Sequence, residues 1–526
     1  MDAPQPKPIS FAFGLFLAAL GGLAQALTLP GPNLWPLVFI CLIPLAYAIR
    51  RASAKQAFFF GWAYGLVLGL VSFSWLEEVM AGYGGLGPGG VVVLILLAAF
   101  LGSHQGLWAL LMAHLKAKLT PYRWALVGGV LWVGFDHLKN WIFTGFNWSP
   151  LALGLSLEPR LMGAADLIGL YGLGAPLAAI NLWLSFIKPK NPQNRSLAAL
   201  SLAVLLVIGL YGFWSFTRWE KIGSQGPVKK IAILQASVEQ EMKWDVAYRD
   251  RILARYELLF HRAQRTDPWL ILWSETAAPF AYGYDQMETT WLNALLAQSK
   301  ATSLVGVTRA EFTDGAVRQY NRAWLMGPKG PGPYYDKRHL VPFGEYLPLA
   351  GRLPILRSAF FQGVVGAAGT FSHGEATEPL VYEGVTLGVM ICFESIFPYM
   401  ARDRVLEGAK LLLVTTNDAW FGASWAPEQH LRQAAYRAVE SRRPLARAAN
   451  NGISANIRPS GRILESSPQN EVETYVYSIH LLPEENQGLT FFVLFGYWLA
   501  PLSAALAVIL LFRRLYFFFK GRSKTA

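Results

Sequence analysis

The stretch "TLGVMICFESIFPYM", residues 386–400, runs an apolar segment of strand length into a thiol, and behind the thiol stand a carboxylate, a serine and residues of helical character. A strand that stops on Cys392 and gives way to a helix is a strand-to-helix corner, the unit from which α/β sheets are built. The chain has only two cysteines among 526 residues. The other, Cys41, lies inside the apolar run "NLWPLVFICLIPLAYAI" and reads as a small buried hydrophobe. Two cysteines so placed make no disulfide framework.

Around this corner, residues 218–487 mix strand-length apolar runs with charged segments of helical period. "KKIAILQAS", "WLILWSE", "TSLVGVT", "YNRAWLM", the hairpin "EPLVYEGVTLGVMIC" and "KLLLVTT" read as strands. Residues 245–264, 287–299, 394–408 and about 427–443 read as helices, and short strands close the segment. Such interleaving predicts sheets covered by helices. "APEQHLRQAAYRAVESRR" carries an apolar stripe among charges, the pattern of a covering helix, while "KPKNPQN" and "GPKGPGP" read as loops.

The rest of the chain is of another character. With 53% hydrophobic residues, 15% charged residues and a mean hydropathy of +0.31, much of this protein belongs in lipid. Eight apolar runs are predicted to cross a hydrocarbon core of about 30 Å: near 10–27, 33–49, 57–75, 89–113, 122–138, 164–187, 197–216 and 489–512. The expected organisation is a multi-pass α-helical membrane domain over 1–217, an α/β domain over 218–487, and a final span with a basic tail over 488–526. The net charge of +12 gathers in alternate loops: Arg50, Arg51 and Lys55; Lys116, Lys118 and Arg123; Lys188, Lys190 and Arg195; and the tail from Arg513 to Lys524. Short basic loops stay inside, so both termini are predicted cytoplasmic and the α/β domain outward-facing. The basic excess is a topology signal and not a nucleic-acid footprint.

Three strand ends of the outward domain carry reactive or charged groups. Glu275 ends "LILWSE", Lys337 stands in "YYDKRHLVPFGEYLP", and Cys392 ends "LGVMIC". Side chains at strand ends are held rigidly and can converge, as nucleophilic catalysis requires. A carboxylate can take the thiol proton, and an ammonium and a helix N-terminus from about Glu394 would favour the resulting anion. After attack on an acyl carbon, the same lysine could stabilise the oxyanion.

Glu in "WSETAAP", Lys in "YDKRHLVPFGEYLP" and Cys in "ICFES" resemble the Glu-Lys-Cys triad of the nitrilase (carbon-nitrogen hydrolase) superfamily. "TTNDAWFGASWAPEQHLRQAAYRAVESRRPLARAANNGIS", residues 415–454, and "FTGFNWSPLALGLS", residues 143–156, resemble its membrane branch, the apolipoprotein N-acyltransferases. The resemblance covers nearly the whole chain. It implies a nitrilase-like αββα sandwich with Glu275 as general base, Cys392 as thioester-forming nucleophile and Lys337 as oxyanion stabiliser. Glu345 and Glu394 would support the site, and Trp244 and Phe393 would lie near the acyl group. Ser274 and Phe393 depart from the Pro and Tyr common at those positions. The implied reaction moves a fatty acyl group from a phospholipid, with phosphatidylethanolamine as the expected donor, to Cys392. From there it passes to the α-amine of the N-terminal diacylglyceryl-cysteine of an apolipoprotein. The implied location is a bacterial cytoplasmic membrane, with the catalytic domain in the periplasm.

The apolar, Gly-rich segment 347–371, with Phe360 and Phe361, reads as a lid that admits acyl chains. His104 and Gln105 read as interhelical hydrogen bonders, Asp136, His137 and Lys139 as interfacial, Asn147, Glu158 and Arg160 as headgroup contacts, and His430 as a structural histidine. The scattered histidines offer no metal motif, no cofactor fingerprint is present, and no cofactor is expected. Two rivals predict other outcomes: a membrane-tethered amidase would release free carboxylate, and an inert binding or transport protein would be indifferent to Cys392→Ala.

Overall fold

The computed structural model describes residues 8–81, 87–187, 193–313, 316–347, 371–375 and 379–522. Its contacts divide the chain into two compact units, one of Met1–Ser74, Leu94–Gly212 and Phe495–Ala526, the other of Trp75–Val93 and Phe213–Leu494. The segment Trp75–Val93, expected within the membrane domain, thus groups with the α/β unit.

Helices Phe11–Thr28, Ala54–Ser72, Gly89–Leu115 and Arg195–Ile222 are long and apolar enough to cross a membrane, and the pair Ala165–Gly172 and Gly174–Leu184, bent by 65°, makes a fifth if taken as one span. The eight predicted spans are therefore not eight unbroken helices. The run 33–49 is a 3-10 stretch, Trp35–Phe39, followed by the short helix Ile43–Ile49, and the last run breaks between Phe495 and Leu499. Hydropathy sums over a window and is blind to such breaks; the sixth run bends where Gly169 takes φ +70°. Where the helices begin, the sequence caps them: Ser53 and Gln56 form a reciprocal capping box at Ala54–Ser72. Helices pack through small residues, as at Gly22, where a Cβ would lie 2.2 Å from the Tyr64 carbonyl oxygen.

Several buried polar groups of this unit find their partners inside it. Asp136 and Lys139, predicted interfacial, form a buried pair at 2.8 Å, and Asn147 donates to the Asp136 carbonyl (2.9 Å) instead of meeting a headgroup. Gln105 accepts from Lys139 across helices (2.6 Å) in the amide orientation that satisfies both its groups. His104 instead bonds the Leu101 carbonyl of its own helix.

Among the described residues the second unit holds thirteen strands: β1 (Val228–Gln235), β2 (Leu270–Trp273), β3 (Ala281–Tyr282), β4 (Thr302–Thr313), β5 (Ala316–Gly327), β6 (Gly330–Asp336), β7 (Leu380–Tyr382), β8 (Val385–Ile391), β9 (Leu411–Thr416), β10 (Leu445–Ala449), β11 (Ala455–Ile457), β12 (Ile463–Ser466) and β13 (Glu473–His480). One sheet runs β13-β1-β2-β4-β5-β6, with β3 beside β4, and the other β12-β11-β10-β9-β8-β7. Period-two alternation decides the layers. Ile231, Ile233 and Leu272 share a core with Val389, Leu411 and Leu413 of the other sheet, whereas Ala232, Leu234 and Trp273 pack with helices Arg249–Gln264 and Gln286–Ala297. Both faces being buried, these strands read as unbroken apolar runs. Helices Pro398–Leu406 and Ala426–Ser441 pack outside the second sheet, completing an αββα sandwich.

Strands β1-β2-β4 run parallel in one sheet, with the short β3 parallel beside β4, and β8-β9-β10 run parallel in the other. Their C-terminal ends therefore share an edge, where Glu275, Cys392, Asn417 and Asn450 emerge. Three expectations change here. "GPKGPGP" is not a loop throughout: Gly330–Asp336 pairs with β5 as an edge strand, the one sheet position that tolerates Pro331 and Pro333. The predicted helix 394–408 begins only at Pro398, because Cys392–Ile396 forms a separate 3-10 turn. The covering helix Ala426–Ser441 is buried at every position except Glu428 and Arg432, with Arg437 paired to Glu440 (2.9 Å) inside the protein. Phe360 and Phe361 lie outside the described residues.

Candidate active site

Lys337 follows the last residue of β6, and its backbone N–H donates to the Asn321 carbonyl of β5 (2.8 Å), which fixes where the side chain starts. Its ammonium lies 3.0 Å from Glu275 Oε1 and 2.9 Å from Glu345 Oε1. Asn321 Nδ2 donates to the same two oxygens, at 2.8 and 3.2 Å. The remaining carboxylate oxygens are held by backbone: Glu275 Oε2 accepts from Asn417 N–H (2.9 Å), and Glu345 Oε2 from Val341 N–H (2.8 Å). Two carboxylates and one ammonium, all buried, are thus bound into one rigid group.

The electrostatics follow from this geometry. Burial opposes charge on Lys337, but Glu275 and Glu345 outweigh it and hold the ammonium well above its ordinary pKa. Burial also pushes the Glu275 carboxyl up, yet Lys337, Lys243 and the Asn321 hydrogen bond bring it below the usual carboxylate value. Cys392 goes the other way. Burial first, then the Glu275 carboxylate, raise its thiol, and Lys337 only partly offsets them. Lys337 does favour the anion, as expected, but burial and the Glu275 carboxylate outweigh it, and the thiol is held above its ordinary value.

Cys392 itself sits at φ +52°, in the left-handed region that costs a non-glycine residue about 1–2 kcal/mol. Glu394 staples this turn. Its Oε2 accepts from Ile391 N–H (2.7 Å), and its Oε1 accepts from Tyr335 OH (2.8 Å), Arg338 N–H (2.7 Å) and His339 N–H (3.0 Å). The carboxylate so ties the segment bearing Lys337 to the segment bearing Cys392. Phe393 packs its ring against His339 and Phe397, within the protein.

Lys243 went unnoticed beside Trp244. Its ammonium, 3% exposed, donates to the Glu275 carbonyl (3.2 Å) and to Thr276 Oγ1 (2.6 Å), and burial brings its pKa down to about 8 against the pull of Glu275 and Cys392. Trp244 is half-buried at the end of the same helical turn, Gln240–Lys243. Asn417 and Asn450 were also missed; Asn450 donates to Asn417 Oδ1 (2.9 Å), and Asn417 to Gln240 (2.8 Å). These partners are 33 and 177 residues apart, and no local spacing reveals them. Among the described residues no cluster of His, Cys, Asp and Glu is arranged to hold a metal.

Such a cluster of acid, base and thiol at the strand ends of an αββα sandwich has relatives. Residues 21–183 match the family Apolipoprotein N-acyltransferase N-terminal domain, and residues 230–482 match Carbon-nitrogen hydrolase. The Apolipoprotein N-acyltransferase of Geobacter metallireducens is 33% identical over 95% of this chain and 95% of its own, and that of Pseudomonas putida 34% over 87% and 88%. Among solved structures, a carbon-nitrogen hydrolase from Helicobacter pylori G27 aligns with 48% of this chain and 89% of its own at 15% identity and a TM-score of 0.37. The sequence relatives span both units and nearly the full length, and on them the chain belongs to the apolipoprotein N-acyltransferase family.

Proposed function

We propose that this protein transfers a fatty acyl chain from a membrane phospholipid, with phosphatidylethanolamine as the expected donor, through a Cys392 thioester to the α-amine of the N-terminal diacylglyceryl-cysteine of an apolipoprotein. The observation that carries the reading is the Lys337 ammonium held between Glu275 and Glu345, within the electrostatic reach of the Cys392 thiol.

In the first half-reaction, sulfur attacks the ester carbonyl as Glu275 takes its proton. Lys337 faces the oxyanion, the carbon–oxygen bond breaks, and the lysophospholipid leaves with the proton from Glu275. In the second, the amine attacks the thioester, gives its proton to Glu275, and the thiolate departs and is reprotonated. Glu345 keeps Lys337 charged and aimed, Glu394 holds the nucleophile turn, and Trp244 and Phe393 border the acyl group. Phe360 and Phe361, outside the described residues, belong to the proposed lid. The distribution of Lys and Arg supports a bacterial cytoplasmic membrane location with the α/β unit outside and both termini in the cytoplasm.

Mass spectrometry of the Cys392 peptide tests the chemistry. Incubation with phosphatidylethanolamine alone is expected to leave a fatty-acyl adduct that hydroxylamine removes and that Cys392→Ala lacks. A diacylated lipopeptide should then discharge it with appearance of N-acylated product. No adduct on folded protein overturns the thioester route, and free fatty acid in place of N-acylated product would make the enzyme a hydrolase.

A further inference from the structure

Behind the nucleophile turn lies a buried polar cluster that the acyl-transfer steps do not use. Asp418, His430 and Arg447 are each 1% exposed or less. Arg447 Nη2 donates to Asp418 Oδ2 (2.7 Å) and lies 3.1 Å from His430 Nδ1. On the other side of the ring, His430 Nε2 is 3.1 Å from the Cys392 carbonyl oxygen and 2.9 Å from Ser395 Oγ, whose hydroxyl donates to the same carbonyl (2.8 Å).

Nδ1 faces both the Arg447 guanidinium, which only donates, and Asp418 Oδ1 (3.0 Å), which only accepts and also takes the Thr416 hydroxyl hydrogen (2.8 Å), so the other nitrogen decides the tautomer. Nε2 lies 3.1 Å from the Cys392 carbonyl oxygen, which has only lone pairs to offer, and the ring hydrogen is assigned to Nε2. Burial and Arg447 together keep the imidazole below its usual pKa and neutral, despite Asp418. Nε2–H therefore points at the Cys392 carbonyl, the peptide group that sets the left-handed backbone of the nucleophile.

We propose that His430 is a positioning residue, its Nε2–H oriented by Arg447 and Asp418 to hold the Cys392 carbonyl and so keep the thiol aimed from its strained backbone conformation. The inference rests on the reading of Cys392 as nucleophile, and it adds a rear support to the front staple that Glu394 supplies. Ser395 and His430 grip one carbonyl from the same side, and Phe421 stands perpendicular to the imidazole at 6.0 Å.

The test compares full-length His430→Leu, His430→Gln and His430→Asn. Readouts are the rate of Cys392 acylation by phosphatidylethanolamine, the half-saturating phospholipid concentration, the melting temperature, and the nitrophenolate burst from p-nitrophenyl butyrate. The burst reports nucleophile competence whatever the natural acyl donor. Glutamine can present its N–H where Nε2 stands, and asparagine only where Nδ1 stands. His430→Leu and His430→Asn are expected to acylate about tenfold or more slowly, as misplacement of a reacting group does, with half-saturation unchanged. His430→Gln is expected to recover most of the rate. Equal rates for the Gln and Asn variants, or a wild-type rate in His430→Leu, overturn the proposal, and the Gln–Asn comparison decides it even if the Leu variant fails to fold. A wild-type burst without acylation by phospholipid would overturn the proposed function alone, leaving the variants to be compared by the burst.

Discussion

On the proposed mechanism, a thiol raised by burial and by a neighbouring carboxylate gives up its proton only as the sulfur bonds to carbon, with Glu275 as the base that takes it. Glu275→Gln is expected to fold and to lower the rate of thioester formation by about 10²–10⁴-fold, read by the acyl-peptide assay. Lys243 is expected to give the proposed reaction its pH dependence. Its folded pKa of about 8 lies below the ordinary 10.5, so the ammonium is charged below pH 8 and neutral above. Above pH 8 the thiolate and oxyanion that develop during attack lose a cation, while Lys337, held well above its ordinary value, stays charged. Acylation is therefore expected to slow as the pH rises through about 8, and Lys243→Met should show no such limb. A limb that persists in the variant would assign it to another group. Glu275 and Cys392 stood out in the sequence because each closes an unmistakable apolar run, whereas Lys337 follows a Gly- and Pro-rich stretch read as a loop and stood out only through the motif "YDKRHLVPFGEYLP". Lys243 did not, since a lysine in a charged helical turn looks solvated until the fold lays it on Glu275.

Between the strands, the short turn Cys392–Ile396 carries more of the site than its five residues suggest. Glu394 fills both carboxylate oxygens with hydrogens, so Glu394→Gln sets an N–H against an N–H donor at one of four contacts. The expected cost is about 1–3 kcal/mol, measured as a lower denaturation midpoint, with acylation slowed because the turn and the Lys337 segment lose their shared anchor. An unchanged midpoint would leave Glu394 without this role. The turn was predicted as the start of a long helix because periodicity cannot separate five residues of 3-10 helix from the α-helix that follows at Pro398. Helix Ala426–Ser441 was likewise recognised as a helix but not as a buried one. Arg437 and Glu440 signal a wet face in any sequence, and only the fold shows that they pair in the interior.

For the molecule as a whole, hydropathy picked out the four helices long and apolar enough to cross a membrane among the described residues but not the interruptions in other runs, because Gly169 and the 3-10 stretch Trp35–Phe39 alter geometry without altering polarity. The αββα unit was readable because both faces of its central strands are apolar. Orientation is a prediction at this scale. In a Cys41→Ser, Cys392→Ser background, Tyr284→Cys, at an exposed position of the α/β unit, should react with a membrane-impermeant maleimide in intact spheroplasts. Lys118→Cys should react only after lysis, and the reverse pattern would invert the topology. The covered, protonated state of Cys392 reaches beyond catalysis. It is the thiolate that attacks a peroxide or a disulfide, so a sulfur that keeps its proton between turnovers is expected to react slowly with either, and Cys41, buried in the other unit, is covered as well. On the proposed mechanism the proton that Glu275 removes thus also serves as armour: the nucleophile is stored in a form that oxidants attack slowly, and activity is expected to survive peroxide without a reductant to restore it.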